Sequence, residues 1–195
     1  MKRFIALVCL LLPSIAFCKT PEEKCAIQYK KDSFSGEETF SPKRGFKGLG
    51  NQYRPHLYFY GKKNSGGVSL QMAVSYTDTI NRQDPENKVQ PVSVDIKVGD
   101  RIFKFETPQF TFKIIAGTDP LLGSVHRTYI TAQLTQDITD ALYAADSVLL
   151  RVNKDSGGPD DGKGLDETDF VCLRMLIDEF RKATVSAAGE EHKQP

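Results

Sequence analysis

The chain has 195 residues, 39% hydrophobic and 26% charged, enough for one domain with a substantial core and too few for two ordinary domains with linkers. That usage excludes a disordered, collagen-like or polytopic membrane chain. Its 26 Lys and Arg against 25 Asp and Glu give a formal net charge of +1. A nucleic-acid binder that works through a large positive excess is disfavoured.

The chain opens on Lys2 and Arg3, runs without interruption through apolar residues 4–12, and reaches Pro13, Ser14 and Ala16 before the polar stretch from Lys19. This order is that of an export signal. The run is shorter than the ~20 residues a spanning helix needs, and no later stretch approaches that length, so no permanent transmembrane segment is expected. Residues 1–18 read as a signal peptide, with cleavage after Ala16 and cleavage after Cys18 both open. Cys18 also raises attachment of a lipid, although Phe17 is bulky where a lipoprotein signal wants a small residue. Loss of Lys2 and Arg3 takes the net charge from +1 to −1. None of Asn51, Asn64, Asn81, Asn87 and Asn153 begins an Asn-x-Ser/Thr site, which with the terse leader fits a bacterial protein that is periplasmic or secreted.

Residues 19–187 are then expected to form a single β-rich domain. Cys25 and Cys172 are its certain cysteines, and an even pair in an oxidising compartment predicts a disulfide. Two inert buried thiols are the competing reading. Neither cysteine stands in Cys-x-x-Cys or beside a histidine, which disfavours thiol chemistry. A strand is predicted over residues 26–30.

Between Thr39 and Thr77 the chain carries Lys43, Arg44, Lys47, Arg54, Lys62 and Lys63 with no Asp or Glu, interleaved with Tyr53, Tyr58 and Tyr60. Fixed cations beside aromatic rings are suited to a sulfated or phosphorylated glycan, a lipid head group, an acidic protein face or a single-stranded nucleic acid. The bland alternative is a solvated strand face balanced by the acidic stretch from Asp155 to Asp169. Strands at 57–60 and 68–76 are expected to be joined by a polar loop over residues 62–67. The glycine-bearing stretches around Gly61 and Gly45 lack the strand-to-helix context of phosphate-binding loops.

Val92, Val94, Ile96 and Val98 alternate with polar residues and are predicted to share one face of a strand. Gly99 and Asp100 supply a two-residue turn into a strand over 101–105, because Gly at the first position can take the positive φ of a type II′ turn. Further strands are expected at 109–114, 127–134 and 147–152. Thr135 caps a short helix over 136–145. Asp166 caps a longer one whose apolar stripe is Leu173, Leu176, Ile177 and Phe180, with Arg181 and Lys182 suited to its far end. From Gly189 the chain is Gly, Glu, Glu, His, Lys, Gln and Pro with no apolar residue left to dock, and residues 188–195 are expected to be a flexible tail. The fold class is α+β, mostly antiparallel β, a sandwich or curled sheet with one short helix and one long C-terminal helix.

Catalytic signatures are sparse. His56, His126 and His192 make no His-Glu-x-x-His, no Gly-x-Ser-x-Gly is present, and neither a metal nor a cofactor is expected. The acidic loop over residues 155–167 offers oxygen ligands that calcium favours, without EF-hand spacing. The preferred reading is an exported, non-catalytic binding domain that contacts a macromolecular or anionic partner. Its first binding candidates are Arg44, Lys47, Arg54, Lys62 and Lys63, with Tyr58 and Tyr60 second. A small exported hydrolase using His56 or His126 is the alternative, and a structural subunit of an envelope or secretion assembly is another.

Overall fold

The computed structural model describes residues 20–46, 54–79, 89–119, 123–162 and 164–191. The expected signal peptide, Lys47, Tyr53 and His192 lie outside them. The fold is α+β and mostly antiparallel β, as its alternation predicts. A short helix α1 (Pro21–Lys24) leads into β1 (Ile27–Lys31), β2 (Glu38–Pro42), β3 (His56–Asn64) and β4 (Gly67–Thr79). Then come β5 (Pro91–Val98), β6 (Arg101–Glu106), β7 (Phe110–Asp119), β8 (Gly123–Gln133), α2 (Gln136–Ala144), β9 (Val148–Lys154), β10 (Asp160–Asp161) and α3 (Glu167–Glu191). The strands form a six-stranded sheet, ordered β1-β2-β3-β4-β8-β7, and a four-stranded sheet, ordered β10-β9-β5-β6.

Period-two alternation decides which face of each strand is buried. Leu57 and Phe59 on β3, Leu70, Met72, Val74 and Tyr76 on β4, and Ile130 and Ala132 on β8 are buried on the inner face of the larger sheet. Val94, Ile96 and Val98 on β5 and Val148, Leu150 and Val152 on β9 do the same for the smaller. Both sets join one core with Cys172, Leu173, Leu176 and Ile177 of α3, which lies across β1–β4. Each Leu or Ile withdrawn from water contributes roughly 1.5–3 kcal/mol. That outweighs surface pairs such as Lys182–Glu179, worth at most about 1 kcal/mol.

Both main helices start as the sequence predicts. Thr135 Oγ1 accepts from the Ile138 N–H at α2, while at α3 the Asp169 N–H donates to Asp166 Oδ1 at 2.7 Å and the Asp166 N–H to Asp169 Oδ2 at 3.3 Å. No basic residue closes the last turn of α2, and Arg174 of α3 takes that part by donating to the Tyr143 and Ala145 carbonyls. The hairpin turn also stands as read, with Gly99 at φ +57°.

Several expectations are corrected. Two strands, β2 and β10, were not anticipated. The loop expected over 62–67 is much shorter, because β3 continues through Asn64, so Lys62 and Lys63 are strand residues. Gly61 lies inside that strand because the Phe40 ring of β2 covers it: a Cβ there would sit 1.9 Å from Phe40 Cζ. Val92 does not share a face with Val94, since the β5–β9 register shifts between Pro91 and Ser93 and leaves Val92 exposed. The long helix runs to Glu191, past the expected boundary at Ala187, so Arg181 and Lys182 are interior helix residues. Arg181 instead pairs with Asp140 of α2 at 2.8 Å and lies over the Tyr143 ring.

Cys25 and Cys172 form a disulfide across a sequence separation of 147, tying the chain before β1 to the buried side of α3. Closing so long a loop in the unfolded chain is worth about 5 kcal/mol on the chain-entropy model. Replacing both cysteines by Ala is expected to lower the unfolding free energy by about 2–5 kcal/mol in urea titrations. An unchanged midpoint would show that α3 docks without the bond.

Candidate functional site

Helix α3 and the smaller sheet share one core with the inner residues of the six-stranded sheet, and the alternate residues of its strands form the opposite face. The register aligns these outer side chains in rows. Tyr60 of β3 lies beside Gln71 of β4 and Gln133 of β8; Tyr58 beside Ala73, Thr131 and Thr111; His56 beside Ser75, Tyr129 and Lys113; and Thr77 beside Arg127 and Ile115. Lys62 continues the pattern beside Ser69 and, across β2, Thr39 and Lys30. None of these side chains is a carboxylate, and none is buried.

Hydrogen bonds knit the rows together. Tyr58 Oη and Ser75 Oγ are 2.7 Å apart, Thr111 and Thr131 meet through their hydroxyls at 2.8 Å, and Gln71 Nε2 donates to Ser69 Oγ at 2.9 Å. Lys62 Nζ is 2.6 Å from Glu37, whose hydrogen bond raises the ammonium above its ordinary value. Lys30, Lys113 and Arg127 are exposed and have no ion pair among the described residues. Tyr129 is 44% exposed between the last two. At one end of the face, the rows and the turn at Pro108 enclose a depression of about 400 Å³. Its polar lining comes from Tyr60, Lys62, Gln71, Thr111, Thr131 and Gln133, among others.

The predicted binding residues do not form one patch. Tyr58, Tyr60 and Lys62 stand on this face, and Lys63 pairs in register with Glu38. Arg44 is mostly drawn into the fold, with its side chain 17% exposed. Its guanidinium is 3.2 Å from Asp166 and 3.8 Å from the fully buried Asp169, pinning the end of β2 to the start of α3. Arg54 is exposed and helps Arg151 hold the Asp161 carboxyl below its ordinary range, the hydrogen bond from Arg151 being the larger cause. Lys47 lies outside the described residues. The acidic stretch therefore does meet part of the basic one.

Sequence reasoning missed Gln71, Gln133, Thr111, Lys113, Arg127 and Tyr129. Alternation along β8 marks Arg127, Tyr129, Thr131 and Gln133 as sharing a face. Their place beside β3 and β4 depends on pairing between distant segments, which a sequence window does not show.

His56 and His126 are not among the residues that line the depression beside Pro108. His56 stacks against Tyr58 on the outer face. His126 is buried on the inner face, paired in register with Asp78, within a polar cluster that includes Tyr76, Thr128, Lys154 and Asp160. Lys154 donates to Asp78 at 3.2 Å and Asp160 at 2.9 Å. Burial pushes the Asp78 carboxyl and the Tyr76 hydroxyl up. Burial alone would lower the Lys154 ammonium, but its two carboxylate partners outweigh that and raise it.

Four of the five carboxylates of the acidic loop have protein partners among the described residues. Asp155 accepts from the Gln90 N–H, Asp160 pairs with Lys154, Asp161 with Arg151, and Asp166 with Arg44. On the outer face of the smaller sheet, a second depression of about 340 Å³ is lined by Asp95, Lys97, Ile102, Leu149, Arg151 and Asp161, mixing both charges with apolar groups. No helix among the described residues is long and apolar enough to cross a membrane.

No family model matches the chain, and no curated protein matches it. Among solved structures, invasion associated protein B from Bartonella henselae is similar with a TM-score of 0.42 and 11% identity, over 80% of this chain and 94% of that one.

The contacts of Arg44 give it a structural role. Replacing Arg44 by Ala removes a cation from the buried Asp169 and is expected to cost about 2–4 kcal/mol of stability, measured by chemical denaturation. A fully stable Arg44→Ala variant would return Arg44 to the list of binding residues.

Proposed function

We propose that the chain is an exported, non-catalytic binding domain whose macromolecular, anionic partner lies across the outer face of the six-stranded sheet. The observation that carries this reading is the absence of carboxylates from the rows spanning β3, β4, β8 and β7, where Lys113 and Arg127 flank Tyr129. Such a face attracts negative charge although the chain as a whole is nearly neutral.

Export rests on the leader pattern of residues 1–18 and on the Cys25–Cys172 bond, which suits a periplasmic or secreted protein. The hydrolase alternative requires a histidine in a concave site within reach of an acid or a serine, and neither depression described above is lined by a histidine. A structural-subunit role draws its support from β7, the edge strand of the larger sheet, where Phe112 and Ile115 are exposed.

Binding to heparin-coupled resin tests the charge of the face. Affinity is expected to fall steeply between low and physiological salt, because exposed charges are screened over about 8–10 Å. Lys113→Glu/Arg127→Glu is expected to abolish retention, whereas Lys62→Glu has a smaller effect because Glu37 already neutralises that lysine. Retention that ignores salt, or survives the double reversal, would count against the reading.

A further inference from the structure

Resting on that reading, we infer that the partner is an acidic polysaccharide, with sugar rings seated in the depression bounded by Tyr60, Gln71, Gln133 and Thr111 and acidic substituents held by Lys113 and Arg127. The depression and the cations are adjacent parts of one surface. Thr111 and Lys113 are alternate residues of β7, about 7 Å apart along the strand, and Gln133 and Arg127 lie about 20 Å apart along β8. A chain running along these strands meets the amides and hydroxyls first and the cations next.

The chemistry of the lining selects the ligand class. Among the described residues no carboxylate lines the depression, and the cation that does, Lys62, is already neutralised by Glu37 at 2.6 Å, so nothing there concentrates a small anion. Pro108, Phe110 and Ala132 also line it, but the polar part of the lining is the larger, which disfavours a large apolar side chain of a peptide as the occupant. What it offers is hydroxyls and carboxamides. Each carboxamide donates and accepts at once, which matches hydroxyl groups that do the same.

The Gln133 side chain is exposed and makes no hydrogen bond among the described residues, so its carboxamide is available to a ligand. Gln71 and the Thr111–Thr131 pair are held in place by their own bonds to neighbouring side chains, which reduces the ordering cost of binding. The Tyr60 ring, half-buried beside them, provides an aromatic surface for the C–H face of a sugar.

An acidic peptide would use Lys113 and Arg127 but leave the depression empty. Calorimetric titration of the oxidised mature chain with a heparin hexasaccharide and with polyglutamate of matched charge separates the two. The hexasaccharide is expected to bind more tightly. Gln133→Ala/Thr111→Ala is expected to weaken it by about tenfold, the equivalent of one or two neutral hydrogen bonds, without changing polyglutamate binding. Gln133→Ala alone, which breaks no bond within the described structure, is expected to show a smaller loss of the same sign, with melting temperature as the check on folding.

Equal affinity for both probes, with no effect of either variant, would overturn the saccharide inference while leaving the anionic face in place. Failure of both probes to bind would overturn the two together.

Discussion

Cys172, Leu173, Leu176 and Ile177 are fully buried along one stripe of α3, and their docking across β1–β4 puts the helix in one core with the smaller sheet and the inner face of the larger one. A sheet covered on one face must bury an apolar set there and present a polar set on the other. The disulfide from Cys25 fixes the helix at the point where the chain enters β1, and Arg44, at the same open end of the β1–β2 hairpin, ties the chain after β2 to the start of the same helix. The open face of the six-stranded sheet is the consequence. It is not a cleft between moving parts but the uncovered side of a sheet whose other side is the core.

Charge is sorted by the same arrangement. The carboxylates of the C-terminal third meet Arg44, Arg151 and Lys154 around the ends of the smaller sheet and the start of α3. Those cations are thereby spent on structure, and the basic residues left without partners among the described residues include Lys30, Lys113 and Arg127 on the outer face. Near-neutrality of the whole chain thus coexists with a face that is positive in its own right. The buried cluster around Lys154 has a different character: Asp78 Oδ2 is buried with no hydrogen-bond partner among the described residues. Polar groups held out of water in this way oppose the fold instead of supporting it. In Asp78 the opposition is complete once the carboxyl is ionised, so its contribution is best below its ordinary value and is lost as pH rises through the raised native one.

What the sequence made legible is local. The Gly99–Asp100 turn, the caps at Thr135 and Asp166, the α3 stripe and the cysteine pair each follow from a few neighbouring residues. Strand β2 escaped notice because it is short and ends at Pro42, and its single large inward residue, Phe40, packs on Gly61, a glycine that reads as a loop marker until its cross-strand neighbour is known. Val92 was misplaced by a bulge that period-two counting cannot register. The basic stretch from Thr39 to Thr77 was chosen because its cations are close in sequence, yet Arg44 and Lys62 turn out to be paired, and two unpaired cations come from β7 and β8. Register between β4 and β8 decides that grouping, and register is a property of the whole sheet.

The central claim is that the uncovered face of the larger sheet, and not the outer face of the smaller one, meets the partner. A photoreactive side chain placed at Gln133 or Thr111, and in parallel at Ile102 or Leu149, tests this in the cells that produce the protein. The one-sided sheet predicts covalent adducts from Gln133 and Thr111 and none from Ile102 and Leu149. Adducts confined to Ile102 and Leu149 would contradict it.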